Sequence, residues 1–109
     1  MPAKKKVVKE KKTITDSYID LFNDARGKYG EKTLVLMEVG HFYEFYGIDN
    51  KDDKVGLVKE ICDMLDIQDT RKNKAILENS RENPLMGGFP SLALDRYVSI
   101  LTKHDYTVV

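Results

Sequence analysis

The 109-residue sequence is long enough for one small domain with a single modest core, and too short for several domains. Residues 1–12 carry six lysines against one glutamate, whereas the rest carries 12 basic and 17 acidic side chains, so the net charge of zero hides an acidic body with little general attraction for phosphate. The single cysteine, Cys62, excludes an internal disulfide and a cysteine-rich zinc site, and it indicates an intracellular protein. No run approaches the roughly 18 apolar residues of a membrane helix, so no membrane segment is expected.

The N-terminal segment, residues 1–14, is predicted to be a disordered basic arm. It has few bulky apolar side chains and too much like charge to collapse. A solvated tail is the simpler interpretation, and a phosphate-binding or nuclear-localisation segment is the alternative. The folded domain is then expected to span residues 15–109.

A first helix is predicted to begin at a cap formed by Thr15 or Asp16 and to end near Tyr29, before Gly30. Apolar side chains recur on one face of this helix, at Tyr18, Leu21, Phe22 and Ala25. The following Thr33–Val39 run has the length and β-branched content of a buried strand.

The strand is expected to stop at Gly40, which lets the backbone turn sharply or approach another surface. If the next residues stay extended, side chains two apart share a face. Phe42 and Glu44 then point one way, and His41 and Tyr43 the other.

Asp52 or Asp53 is predicted to cap a second helix that ends near Leu65. Apolar residues recur on one face of this helix, at Val58, Ile61, Cys62 and Leu65, and this stripe makes Cys62 a core residue rather than a nucleophile. Ile67–Lys72 is read as a short strand. Residues 73–83 form either a hairpin or a mobile loop.

The Pro84–Pro90 segment is predicted to be a tight passage in which Gly87 and Gly88 allow positive φ and close backbone approach. Ser91 is expected to cap a third helix to about His104, and Tyr106–Val109 to begin a last strand. A final strand without a flanking turn is typical of an excised fragment. Helices that alternate with strands indicate an α/β fold, a mixed sheet flanked by about three helices.

Several short motifs stand in a recognisable order. They are Gly40-His41-Phe42-Tyr43-Glu44, Leu65-Asp66-Ile67 with Thr70-Arg71-Lys72, Leu85-Met86-Gly87-Gly88-Phe89-Pro90, Arg96-Tyr97 and Asp105-Tyr106-Thr107-Val108. Together they resemble the N-terminal mismatch-recognition domain, domain I, of the MutS family of DNA mismatch-repair proteins. That family has Gly-x-Phe-Tyr-Glu at the end of its first strand and Pro-Met-Ala-Gly-Ile-Pro before its last helix.

The likeness covers about residues 15–109, and the Val39–Glu44 motif together with Tyr46–Asn50 looks most like the MutS-like proteins of large DNA viruses and some organelles. His41 departs from the family pattern, because an acidic residue is common there. Ser91-Leu92 replaces a frequent Tyr-His pair. Both departures lie beside the expected DNA-facing side, so contacts there are expected to differ.

The resemblance implies that Phe42 wedges into the duplex and stacks on a mispaired base while Glu44 hydrogen-bonds that base, as an acceptor or, if protonated, as a donor to a purine nitrogen. It also implies a phosphate contact for Lys72 and, as a weaker candidate, Arg71. Met86 is expected to line the DNA-facing side. Structural roles fall to Gly40, Tyr43, Gly87 and Gly88.

The resemblance implies no catalysis and no cofactor within this segment. ATP and Mg belong to a separate C-terminal ATPase domain of a longer parent, which is expected to be dimeric. The expected partners are mismatched double-stranded DNA and the other domains of that parent.

Two other functions compete with mismatch recognition. One is a protein-interaction domain with an aromatic patch formed by Phe42, Phe45 and Tyr46. The other, less favoured, is a small metal-dependent nuclease, whose candidate ligands are Glu38, His41, Glu44, Asp49, Asp52 and Asp53.

Overall fold

The computed structural model describes residues 14–109, so the predicted basic arm lies outside the described residues apart from Ile14. The described chain contains helices α1 Ile14–Tyr29, α2 Val58–Leu65 and α3 Leu94–Lys103, with a 3₁₀ turn at Ser91–Ala93. Its strands are β1 Thr33–Leu34, β2 Met37–Val39, β3 Phe42–Asp49, β4 Lys54–Val55, β5 Thr70–Arg71, β6 Leu85–Pro90 and β7 Thr107–Val108. The α/β fold with parallel and antiparallel strand pairs and three helices is confirmed. No helix within residues 14–109 has the length and apolar character needed to cross a membrane.

The predicted single strand Thr33–Val39 is wrong, because the chain divides it between two sheets. Strand β1 pairs in parallel with β7, whereas β2 pairs antiparallel with β3 in a five-stranded sheet. Thr33 and Leu34 are fully buried, but Glu38 and Val39 are exposed. The apolar run therefore reflects one buried strand followed by an edge strand, and not one continuous core strand.

Alternation along β3 divides the core into two layers. On one face Tyr46 packs under α1, with its ring 5.3 Å from that of Tyr18 at 89°. On the other face Phe45, fully buried, lies under α2 close to Cys62. Burial raises the pKa of the Cys62 thiol to about 12, with Asp69 and Asp63 adding to the shift, which agrees with its predicted place in the core.

Strand β6 lies in the middle of the large sheet, between β3 and β5. The predicted tight passage is wrong in conformation, since the segment is extended and the positive-φ glycines are Gly30, Gly40 and Gly56. The predicted close approach is confirmed. A Cβ at Gly87 would lie 2.6 Å from the Sγ of Cys62 and from a ring carbon of Phe45, so the α2 layer rests directly on this backbone.

Each predicted helix cap differs from the structure. Thr15 and Asp16 lie inside α1, and α2 begins at Val58 after Leu57, which makes no side-chain cap bond. The two aspartates expected to cap α2 instead form a turn, in which the Asn50 side-chain oxygen accepts from the backbone N–H groups of Asp52 and Asp53 at 2.8 Å each. Asp52 and Asp53, which were expected to cap the helix, thus belong to a local Asx turn.

The third helix also begins later than predicted. Ser91 opens the 3₁₀ turn rather than capping α3, and the turn begins without a side-chain cap bond. The C-terminal stop of α1 is confirmed, because Gly30 has a φ of 103° and its N–H donates to the carbonyl of Arg26.

Residues 73–83 form a loop and no hairpin. Asn83, which is 4% exposed, holds the loop together. Its side-chain nitrogen donates to the carbonyls of Ile76 and Glu78, and its side-chain oxygen accepts from the N–H of Asn73. The strand predicted at Ile67–Lys72 is confirmed only over Thr70–Arg71.

Replacing Gly87 with alanine is expected to lower the free energy of unfolding by about 1–3 kcal/mol, because the new methyl group overpacks the core. Urea unfolding should show a lower midpoint with an unchanged slope. Gly27→Ala is the matched control, since a Cβ there meets nothing within 4 Å inside α1 and is expected to stabilise the helix slightly. An unchanged midpoint for Gly87→Ala would show that the core tolerates the extra volume.

Candidate nucleic-acid interface

Helix α1 covers only part of its side of the large sheet. Beneath it Tyr46 is 6% and Ile48 is 2% exposed, but farther along the same face of β3 Phe42 is 46% exposed. We call the uncovered part the open face, formed by Phe42, Glu44, Thr70, Met86 and Gly88. The register of the strands places these residues together, with Glu44 opposite Gly88 and Met86 opposite Thr70.

A tight hairpin presents Phe42 at the end of the open face. Val39 pairs with Phe42, so Gly40 and His41 form a two-residue turn. Gly40 has a φ of 60° while His41 does not have a positive φ, the pattern of a type II′ turn. The carbonyl of His41 accepts a hydrogen bond of 2.8 Å from the N–H of Ser91, which ties the hairpin to the 3₁₀ turn. Phe42 is thus an exposed ring on an anchored hairpin.

A shallow cavity of about 180 Å³ lies along the open face. It is lined by Phe42, Glu44, Gln68, Thr70, Met86, Gly87 and Gly88. The structure therefore brings together Phe42, Glu44 and Met86, which the sequence singled out. Sequence reasoning missed Gln68 and Thr70 as lining residues, although Thr70 opens the Thr-Arg-Lys motif that was noted.

Gly88 leaves room for the Glu44 side chain. A Cβ at residue 88 would lie 3.2 Å from the Cγ of Glu44 and 2.9 Å from the carbonyl oxygen of Tyr43. The carboxyl group can therefore lie over the β6 backbone at the centre of the open face.

Glu44 is held by a neighbour that sequence reasoning placed only in the core or at its rim. The Tyr46 hydroxyl donates a hydrogen bond to Oε1 of Glu44. Burial raises the pKa of the Tyr46 phenol, and the bond to Glu44 raises it further, so the hydroxyl keeps its proton at physiological pH. The spacing of two residues along a strand was the available signal, because it puts both side chains on one face.

The two basic candidates lie on different sides of β5. Lys72 is exposed and lines a second cavity, of about 200 Å³, that shares Glu44 and Met86 with the first. Arg71 pairs with Leu85, on the other face, and its guanidinium donates to the carbonyls of Ile76 and Lys74. Arg71 is thus engaged in holding the 73–83 loop, whereas Lys72 extends beside the open face.

Tyr43 lies on the face of β3 opposite Phe42. Its ring is 6.3 Å from that of Phe89, at 41°, and Phe89 in turn packs on Tyr97 at 4.7 Å. Tyr43 supports the hairpin from the core side.

The residues proposed for an aromatic protein-binding patch or for a nuclease metal site do not lie together in the described chain. The aromatic patch does not form, because Phe45 and Tyr46 are buried and only Phe42 is exposed. Asp49 lies near Lys54 and Lys59, and Asp53 pairs with Arg81, away from Glu44. Within residues 14–109 no group of three or more His, Cys, Asp or Glu side chains is arranged to hold a metal ion.

The open face combines few chemical functions. The Phe42 ring offers a flat apolar surface, Glu44 offers one carboxyl oxygen not bonded to Tyr46, and Gly88 offers backbone that a flat group can approach. Lys72 adds a positive charge at the margin. This set can stack on a flat ring and make one directed hydrogen bond to it.

Comparison with known proteins gives two matches. The family model of MutS domain I matches residues 18–109. A protein of Acanthamoeba polyphaga mimivirus, named as a DNA mismatch repair MutS homologue, is 34% identical over 101 residues. The match covers 92% of this chain but only 9% of the length of that relative.

Phe42→Ala is expected to change the free energy of unfolding by less than about 1 kcal/mol, because the ring is half exposed. Phe45→Ala, the matched control three residues away, is expected to cost about 3–5 kcal/mol, because that ring is fully buried. Urea unfolding of the two variants measures both values. Equal losses would mean that Phe42 belongs to the core.

Proposed function

Because this chain belongs to the MutS family, in which it corresponds to domain I, we propose that its open face recognises mismatched double-stranded DNA. In this proposal Phe42 inserts at a base step and stacks on a mispaired or unpaired base, and Glu44 hydrogen-bonds the same base. The observation that carries it is the exposure of Phe42 on an anchored hairpin, beside a carboxyl group held in place, on a strand that buries the rings of Phe45 and Tyr46.

The energetics of insertion explain why a mismatch is selected. Wedging an aromatic ring between bases costs a few kcal/mol of unstacking and kinks the duplex, and stacking returns roughly 1–3 kcal/mol. A matched step resists this exchange, whereas a mismatch has already lost pairing energy and deforms more easily. Since a stacked ring reads no particular base edge, one Phe42 serves many different mispairs.

Glu44 supplies the directed contact. An ionised carboxylate is repelled by phosphates and only accepts hydrogen bonds, so it accepts from a base N–H; a protonated one donates to a purine nitrogen. In either state the contact is available only to a base displaced toward the open face, which ties the hydrogen bond to the deformation that Phe42 produces.

The rest of the open face positions the duplex. Lys72, exposed at its margin, contacts a phosphate, and Met86 lies against the DNA with the backbone of Gly87 and Gly88. Arg71 has a mainly structural role, because its guanidinium holds the neighbouring loop. The described residues are net acidic, so binding by this chain alone is expected to be weak and strongly salt-dependent.

No catalytic role is given to this chain. In a longer parent protein, a separate C-terminal domain would bind ATP and Mg, and two subunits would together hold the duplex. The partners of this chain are then mismatched DNA and the neighbouring domains of that parent.

Phe42→Ala is expected to remove the preference for a duplex with one G·T mispair over its matched twin, because the stacking ring is lost. Fluorescence anisotropy at one fixed salt concentration, with the natural full-length protein that carries this sequence, measures both affinities. Phe42→Tyr keeps a ring and should keep the preference. Leu77→Ala removes another exposed apolar side chain, in the 73–83 loop, and should change nothing. A preference that survives in Phe42→Ala would refute the proposal and would favour a protein-binding role for the hairpin.

Glu44→Gln is expected to keep or tighten binding to both duplexes while discrimination is lost, because the amide removes charge repulsion from the phosphates. The same anisotropy titrations measure it. Glu38→Gln removes the carboxylate of a residue that lies opposite Tyr43 in the strand register, on the other face of the sheet, and should leave discrimination intact. Equal weakening of both complexes by Glu44→Gln would count against the role given to this residue.

A further inference from the structure

The ring of Tyr46 is held in the core. It is 6% exposed and meets the ring of Tyr18 edge-on at 5.3 Å. A buried phenol needs a hydrogen-bond partner, and the partner of Tyr46 is Oε1 of Glu44. The chain thus joins a rigid buried donor to a carboxyl group on the open face.

This bond leaves Glu44 with little freedom. Its side chain lies between the Tyr46 hydroxyl and the β6 backbone at Gly88, where even one methyl group would crowd its Cγ. A surface glutamate normally samples many rotamers and gives up that freedom when it binds. Glu44 has given it up in the folded protein, so its free oxygen is already oriented before DNA arrives.

We propose that Tyr46 is the positioning residue of the mismatch site: its hydroxyl occupies Oε1 of Glu44 and leaves Oε2 as the single oxygen that meets the displaced base. This inference rests on the proposed function. The bond serves either protonation state, because a carboxyl group whose Oε1 accepts from tyrosine carries any proton on Oε2. Tyr46 therefore determines which atom reads the base, without touching DNA itself.

The phenol group can be removed without removing the ring. Tyr46→Phe in the natural full-length protein is expected to reduce the ratio of G·T to matched affinity roughly twofold to tenfold, the effect of one hydrogen bond. Tyr18→Phe is the matched control, because its hydroxyl bonds the Val35 carbonyl and not Glu44. It is expected to lower the urea midpoint and to leave the affinity ratio unchanged. Urea unfolding of Tyr46→Phe verifies that this variant is folded.

A double-mutant cycle separates positioning from packing. If Tyr46 acts through Glu44, Tyr46→Phe should have no further effect on the affinity ratio in a Glu44→Ala background. An unchanged ratio for Tyr46→Phe in the native background, or an equal loss in both backgrounds, would overturn the inference. The proposed function fails separately, if Phe42→Ala leaves the ratio unchanged.

Discussion

The pairing of β3 with β6 is the constraint on which the rest of the structure depends. Six residue pairs connect the two strands, from Phe42 with Pro90 to Gly47 with Leu85. This register sets glycine opposite Phe45 on one face and opposite Glu44 on the other. A shift by one residue would turn every side chain to the opposite face, so that Phe42 would leave the open face and Phe45 would leave the layer under α2. The core and the candidate site are thus specified by the same set of backbone hydrogen bonds.

Much of the fold could be predicted from the sequence, because periodic burial is a local property. The stripe of α2 and the stop of α1 at Gly30 follow from patterns that a few neighbouring residues carry. The pairing of strands is not a local property. Nothing within Thr33–Val39 shows that its first two residues pair with β7 and its last three with β3, since those partners lie elsewhere in the chain. The cap predicted for α2 failed for a related reason, because Asp52 and Asp53 form a turn with the Asn50 side chain and the helix begins only at Val58.

The sequence predicts which face of β3 each site residue occupies, but it does not predict how deeply each one is buried. Alternation places Phe42, Glu44 and Tyr46 on one side of β3, yet Phe42 is exposed and Tyr46 is buried. The difference arises because α1 covers only one end of the strand, a fact of tertiary packing. For the same reason the Tyr46 bond to Glu44, and the contribution of Gln68 to the cavity, required the structure.

The two adjacent glycines of β6 are each required by a different set of neighbours. Gly87 is confined by Cys62 and Phe45, and Gly88 by Glu44 and the β3 backbone. Because neighbouring residues face opposite layers, selection on folding and selection on ligand chemistry act on alternate positions of one strand. The residues of the open face can therefore change during evolution while the core residues of the same strand stay unchanged. Such substitutions would be found at every second position of β6.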